Sequence, residues 1–585
     1  MPDTTGGRIM AKILKAEGVE CFFGIVDGTY LQLCAHLVEE GIRMITPRQE
    51  AVAAHMAGAY ARMSGKLGVC IASNGPGVAN MLAGVAVENV EGNRVLLITS
   101  SRRTGITYPD RGGTYQCFDQ VGVIKNMAKW SASCAGAERI PELLRQALRK
   151  CYQGRPGVVH LDVPENLINS PCETTPIHEP ARYRRTKPMA PLPEQVTQAA
   201  KLLANATLPM IHAGSGVIHA AAFDELRQVA ELLHAPVTTS WAGRGVMDER
   251  HPLVWPLVHI DANTAVRNAA DVCLCLGSDL GETDWWGKAP YWAKTADQRF
   301  IQVDIDEGCL GRNRPVDLGV IGDVRLFLQS LLAHLGELGD RTDLDARRDK
   351  VAGLARQKTE DREKLDEMLT GPSEGMISCH VPRICREMLN DDAVVVFDGG
   401  NTAVWGNFYT SLLTPNSQLS TPHMGHLGAG VGQALGAAEA LPDKQVYCII
   451  GDGAMGFNMQ EIETAVRHQY KVIFLVLADR QWGMVKISQM VALEPFKEMF
   501  DTALGPDKTG TINADLGYIA WDDLARSMGA FGARASSPET LRKALDQALA
   551  ADTCAVIHCE VDPAAHMFAP GLLHFKAMHQ EPAGE

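Results

Sequence analysis

Short, uninterrupted apolar runs alternate along this chain with longer stretches in which apolar residues recur every three or four positions. The first third carries Cys21-Phe22-Phe23-Gly24-Ile25, Leu67-Gly68-Val69-Cys70-Ile71-Ala72, Arg94-Val95-Leu96-Leu97-Ile98 and Val158-Val159-His160-Leu161-Asp162-Val163. Runs lacking period-two alternation suit strands buried on both faces, and helical patterns between them predict parallel crossover units. The pattern restarts at Pro209-Met210-Ile211-His212-Ala213-Gly214, ends a second block at Phe300-Ile301-Gln302-Val303-Asp304-Ile305-Asp306, and restarts again at Ala393-Val394-Val395-Val396-Phe397-Asp398. The predicted class is therefore α/β, with three doubly wound parallel-sheet domains at residues 1–178, 193–335 and 372–565. The first and third look like versions of one architecture, with the second inserted between them. A Pro-rich basic stretch, Ser170 to Pro193, and a charged helical stretch, about Gly336 to Gly371, read as linkers. Residues 566–585, apolar with basic punctuation, are a candidate lid.

Composition narrows the class. The chain has 585 residues, 46% of them apolar and 21% charged, as in an ordinary globular protein. Its formal net charge of −14 argues against a nucleic-acid partner. No apolar run approaches a membrane span, and the first residues lack a signal peptide's apolar core. The 15 cysteines follow no framework spacing; Cys273 and Cys275 share an apparent buried strand, so reduced thiols of a soluble cytoplasmic protein are expected.

Candidate chemistry concentrates in Gly451-Asp452-Gly453-Ala454-Met455-Gly456-Phe457, which follows the apolar run Val446-Tyr447-Cys448-Ile449-Ile450. A second run, Val472 to Leu477, delivers Asp479 to the same sheet end, 27 residues after Asp452. Two adjacent parallel strands with acidic residues at their carboxyl ends make a site for a hard cation and the phosphate it neutralises. The glycines allow backbone to approach that phosphate, and a helix N-terminus faces it.

Together with Gln481-Trp482-Gly483-Met484-Val485, this motif resembles the thiamine-diphosphate signature of the acetohydroxyacid synthase-like enzymes. The resemblance covers nearly the whole chain and implies thiamine diphosphate with Mg²⁺, held by Asp452, Asp479 and the main-chain carbonyl of Gln481. The family usually has Asn where Asp479 stands; an oxygen ligand is kept and a negative charge added. Glu50, in Thr46-Pro47-Arg48-Gln49-Glu50-Ala51, matches the glutamate that activates the pyrimidine. In a mostly apolar cleft its pKa is expected to be raised. Asn74-Gly75-Pro76-Gly77 resembles the turn beside the cofactor, and Gln116 matches a glutamine directed at the reacting carbon. Asn401 and Thr402 match the diphosphate turn. Gly425-His426-Leu427-Gly428 matches the pyrimidine grip, with Leu427 as the wedge that bends the cofactor. Gly453 and Ala454 complete the cofactor-binding set. Because such enzymes build sites between subunits, a homodimer is the minimum expected and a homotetramer is favoured.

The reaction is less sharply marked. Val26-Asp27-Gly28 stands where acetohydroxyacid synthases usually have Pro and Gly, and Gly483-Met484-Val485-Lys486-Ile487-Ser488-Gln489 lacks their Gln-Trp pair. Asp27 is placed near the reacting carbon by the same alignment. No adjacent His pair follows Gln116, unlike pyruvate decarboxylases. Phe118-Asp119-Gln120-Val121 resembles instead the version in 2-hydroxyacyl-CoA lyases, oxalyl-CoA decarboxylases and benzaldehyde lyase. Glu494 could act as a second proton-transfer group, which carbon–carbon cleavage needs and decarboxylation does not. Arg102, Arg103 and Arg111 could meet coenzyme A phosphates. The expected activity is a thiamine-diphosphate-dependent lyase or carboligase, foremost a 2-hydroxyacyl-CoA lyase acting on an acyl-CoA. An acetolactate synthase-like carboligase using pyruvate is the alternative, and an inactive binding protein of the same fold a third. In the second domain, Asp304-Ile305-Asp306 and Gly322-Asp323 suit ADP, FAD or no ligand.

Overall fold

The computed structural model describes residues 4–107, 111–338, 344–371, 375–493 and 511–572, with 574, 577, 580–582 and 584. Three parallel sheets organise it. The first contains β1 (Cys21–Gly24), β2 (Arg43–Ile45), β3 (Gly68–Ala72), β4 (Val95–Ser101), β5 (Trp130–Ser133) and β6 (Val158–Pro164). Their spatial order is β2-β1-β3-β4-β6-β5. The central sheet runs β8-β7-β9-β10-β11, from β7 (Pro209–Ala213), β8 (Val237–Thr239), β9 (Val272–Leu276), β10 (Arg299–Asp304) and β11 (Leu318–Ile321). The third comprises β12 (Val394–Asp398), β13 (Gln418–Leu419), β14 (Val446–Gly451), β15 (Val472–Ala478), β16 (Phe531–Ala535) and β17 (Ala555–Glu560), in the order β13-β12-β14-β15-β17-β16. The first and third sheets thus share one winding order, as their sequence patterns predict.

Burial on both faces explains the apolar runs. In β12, Val394 and Val396 enter one apolar cluster while Val395 and Phe397 enter another. The first of these clusters spans two domains. It joins Val52, Ala53 and Met56 of the helix Glu50–Ser64 to Val431 and Leu435 of the helix Ala429–Ala440. These helices touch along small residues: a Cβ at Gly436 would stand 2.3 Å from the Met56 carbonyl oxygen, and one at Gly432 would stand 2.7 Å from His55 Cβ. The central domain keeps its own core.

Both linkers are more engaged than their composition suggests. Arg184 pairs with the buried Glu17 at 2.6 Å and lies over the Tyr152 ring. In the helix Leu344–Glu367, Arg347 is buried and donates to the carbonyls of Leu203, Ala204, Ala206 and Leu233, satisfying the ends of two central-domain helices. The described part of the tail packs down as well: Ala569 joins the cluster of Trp405 and Phe408, and the His574 ring meets Trp285 edge-on. The other tail residues bearing on a lid, Leu573, Phe575 and Lys576, lie outside the described residues. All 15 cysteines are free, and all but Cys117 and Cys172 are buried. Among the described residues no helix is long and apolar enough to cross a membrane.

Candidate active site

The cation-binding candidates are assembled by two neighbouring strands. β14 passes directly into the helix Asp452–Asn458, and β15 delivers Asp479 beside it. Asp452 accepts from the Gly453 amide at 2.7 Å and from the Arg480 amide at 2.8 Å. Arg480 takes a positive φ of 56°, which turns the chain back so that its amide reaches Asp452. Asp479 Oδ2 is buried with no hydrogen-bond partner. Burial, reinforced by the charge of Asp452, raises the Asp479 carboxyl above its ordinary range; burial raises Asp452 too. Two desolvated carboxylates side by side form an acceptor set that a cation would satisfy. Gln481 donates its Nε2–H to the Pro563 carbonyl at 2.7 Å. No group of three or more His, Cys, Asp or Glu stands together among the described residues. Two carboxylates with carbonyl oxygens suit Mg²⁺, which leaves positions for phosphate and water.

Beside them is a groove that excludes side chains. Gly399 has φ of 100°, and Asn401 and Thr402 are buried at the start of the helix Gly400–Tyr409. A Cβ at Gly483 would lie 3.0 Å from Asn401 Nδ2 and 3.2 Å from Asp479 Oδ2. One at Gly453 would enter the Trp482 ring, while Ala454 packs into the core. Close backbone approach next to a helix N-terminus fits a diphosphate. Gly425 is exposed with φ of 59°, its amide on the Thr421 carbonyl, and Leu427 is half-buried against the core shared by the outer domains.

The second half-site lies at the carboxyl edge of the first sheet. Glu50 opens its helix behind Gln49, whose side chain caps it by accepting from the Val52 amide. Glu50 is half-buried and accepts from Asn80 Nδ2 at 3.0 Å. The preceding turn is fixed from the third domain, where both oxygens of the buried Glu461 accept from the Arg48 amide at 3.0 Å. Asp27 accepts from the amide and hydroxyl of Thr29; that hydroxyl contacts Ser100 Oγ at 2.6 Å, and Ser100 Oγ accepts from the Asn74 amide. Asn74 Nδ2 donates to the carbonyl of Gln116, a residue at φ of 52° whose backbone a Cβ at Gly75 would strike. Asp27, Asn74 and Gln116 therefore form one hydrogen-bonded edge.

Three contributors, Gln120, Asp162 and His566, had no site role in the sequence reading. Gln120 is buried between Gly75, whose amide it accepts, and Asp162, to which it donates at 2.6 Å. Asp162 also accepts from Thr99, Ser101 and Ser133. An acidic residue inside the run Val158 to Val163 was the available signal. His566, after β17, enters the groove beside Asp479, and no spacing announces it. Among the described residues no hydrogen bond links the Glu50 half-site to the Asp452 half-site. Glu494 and the residues around it lie outside the described residues. Arg102 and Arg103 share the single carboxylate of Glu165, at 3.4 and 3.8 Å; Arg111 is exposed.

A cavity of about 390 Å³ opens between the first and central domains, lined by Arg94, Arg155, Ser215, Gly277, Asp304 and Asp323 among others. Burial raises the Asp304 carboxyl to about 6. Asp323 spends its carboxylate on the Arg325 and Leu326 amides at the start of a helix.

Comparison with known proteins gives three domain matches along the chain. Residues 4–123 match the thiamine pyrophosphate enzyme N-terminal TPP binding domain, 196–331 the central domain, and 398–559 the C-terminal TPP binding domain. A probable acetolactate synthase large subunit of Methanococcus aeolicus is 29% identical over 97% of this chain and 94% of its own. A 2-hydroxyacyl-CoA lyase of Arabidopsis thaliana is 28% identical over 98% of both chains, and an oxalyl-CoA decarboxylase of Escherichia coli (strain K12) is 28% identical over 96% of both. With all three domains matched in order around this groove, the chain belongs to the thiamine pyrophosphate enzymes and is a thiamine-diphosphate-dependent carbon–carbon lyase or carboligase.

Proposed function

We propose that the enzyme cleaves a 2-hydroxyacyl-CoA to formyl-CoA and an aldehyde or ketone, and runs the same reaction in reverse. When bound, thiamine diphosphate supplies the nucleophilic carbon and the electron sink. The protein's part is to orient and to move protons. Asp452, Asp479 and the Gln481 carbonyl would hold Mg²⁺, Asn401 and Thr402 the diphosphate, Gly425 and Leu427 the pyrimidine, and Glu50 would exchange a proton with the pyrimidine ring.

The observation that carries the substrate reading is the joined edge of Asp27, Asn74 and Gln116. A carboxylate and amides fixed by a chain of hydroxyls suit a substrate presenting a hydroxyl beside a carbonyl. Deprotonation of that hydroxyl accompanies bond cleavage, with Asp27 or Glu494 as acceptor. The coverage of the 2-hydroxyacyl-CoA lyase relative supports this reading, while acetolactate synthases of similar identity keep pyruvate as the alternative.

The central cavity suits an adenine nucleotide. Asp304 stands at the carboxyl end of β10, where ribose hydroxyls bind in such sheets, and Arg94 and Arg155 supply charge for phosphates. Exposed apolar side chains flank the half-sites: Tyr115 beside Gln116, Phe457 beyond the metal motif, and Val485 after Gly483. Their exposure supports a dimer in which a second copy covers them and brings one chain's Glu50 to the other's diphosphate groove, and a tetramer of two such pairs.

One experiment decides the substrate. The holoenzyme is incubated with formyl-CoA plus acetone or an aldehyde and, separately, with pyruvate, and products are identified by mass spectrometry. A 2-hydroxyacyl-CoA product is expected; acetolactate from pyruvate, with no CoA product, would replace this reading by the alternative.

A further inference from the structure

After β17 the chain turns back over the two loops that hold the candidate cation and diphosphate sites. Asp562 caps the short helix Pro563–Met567 by accepting from the Ala564 and Ala565 amides. The Pro563 carbonyl accepts from Gln481 Nε2. The His566 carbonyl accepts from Trp405 Nε1 at 3.0 Å and from Asn401 Nδ2 at 3.3 Å, and the Met567 carbonyl also faces Asn401 Nδ2 at 3.3 Å. This segment therefore ties the loop after β12 to the loop after β15.

The His566 imidazole lies between those loops, 3% exposed. Its Nδ1 is 2.6 Å from Ser378 Oγ; its Nε2 is 3.4 Å from Thr402 Oγ1 and 3.8 Å from Asp479 Oδ2. With Ser378 Oγ as the donor to Nδ1, the ring hydrogen sits on Nε2, between Thr402 Oγ1 and the buried, unpartnered Asp479 Oδ2.

We propose that His566 is a positioning residue of the cation site: its Nε2–H, 3.8 Å from Asp479 Oδ2, closes on that carboxylate when the cation is bound and so fixes the orientation in which it meets the metal. The inference rests on the assignment of Asp479 as a metal ligand. It also meets a need particular to an aspartate at this position. An asparagine brings its own N–H donors, whereas an ionised aspartate has only acceptors, so its second oxygen needs a donor from elsewhere. Outer donors of this kind hold ligating side chains in register, and losing one typically weakens metal binding by roughly 10–100-fold.

The test is calorimetric titration of Mg²⁺ into the full-length enzyme, stripped by chelation and supplied with thiamine diphosphate. His566→Phe keeps the ring volume and removes both nitrogens; Mg²⁺ affinity is expected to fall about 10–100-fold. His566→Gln, whose amide N–H can replace Nε2–H, should recover most of that loss. In an Asp479→Asn background, His566→Phe should cost less than about threefold, because the oxygen it served is gone. Unchanged affinity in His566→Phe, or an equal loss in both backgrounds, overturns the proposal and leaves His566 as packing. Should His566→Phe fail to fold, Ser378→Ala decides: affinity weakened with an unaltered melting curve supports the role, and unaltered affinity overturns it. If Asp452→Ala leaves Mg²⁺ binding intact, the metal assignment itself has failed, which is a separate result.

Discussion

Glu50 is placed by its neighbours: Gln49 caps its helix, Asn80 holds one carboxylate oxygen, and Glu461 fixes the turn before it. Because none of these contacts belongs to the diphosphate groove, Glu50→Gln should bind thiamine diphosphate as tightly as wild type while losing turnover by on the order of 10²-fold or more. Calorimetry beside steady-state rates checks both halves. Asp452→Ala should behave oppositely. With one carboxylate gone the diphosphate charge stays uncompensated, so cofactor affinity itself should collapse, as it should for wild type in excess EDTA. The acidic and glycine positions of the groove were legible in the sequence because each follows an apolar run that forces a strand end. Gln120, Asp162 and His566 were not, because their roles depend on partners such as Gly75, Thr99 and Thr402, which only the folded chain brings near.

At the level of elements, seven of the twelve buried residues of the helix Glu50–Ser64 are alanine or glycine, and the helix Ala429–Ala440 approaches it closely at Gly432 and Gly436. Gly436→Ala would press a methyl group against the Met56 carbonyl. Overpacking of this kind costs about 1–3 kcal/mol, measurable as a lower denaturation midpoint. Turnover should fall as well, because the strained helix carries Glu50; an unchanged midpoint would mean the interface yields without cost. Long apolar runs predicted the inner strands closely. The edge strands Arg43–Ile45, Trp130–Ser133 and Gln418–Leu419 are short or half-exposed and present no such run. The helix Leu344–Glu367 looked like a solvated tether because its one deeply buried arginine is indistinguishable, in sequence, from its exposed ones.

Across the molecule, the two outer sheets share a winding order, and each carries one candidate half-site at its carboxyl edge. The central domain is linked to pH through Asp304. Burial lifts its carboxyl from 3.8 to about 6, so the ionised form that would accept ribose hydroxyls is lost as pH falls through that value. ADP affinity is therefore expected to decline below about pH 6, and Asp304→Asn should abolish that slope; an identical slope in the variant would assign the titration to another group. The core shared by the first and third domains has a further consequence during synthesis. The surface of the helix ending at Ser64 stays uncovered until the helix beginning at Ala429 leaves the ribosome. At roughly 5–20 residues per second that interval is on the order of half a minute. Nascent chains must spend it with an alanine-rich apolar face open to aggregation or to chaperone capture, so yield on expression should improve with slower initiation or added chaperone even where the finished enzyme is stable.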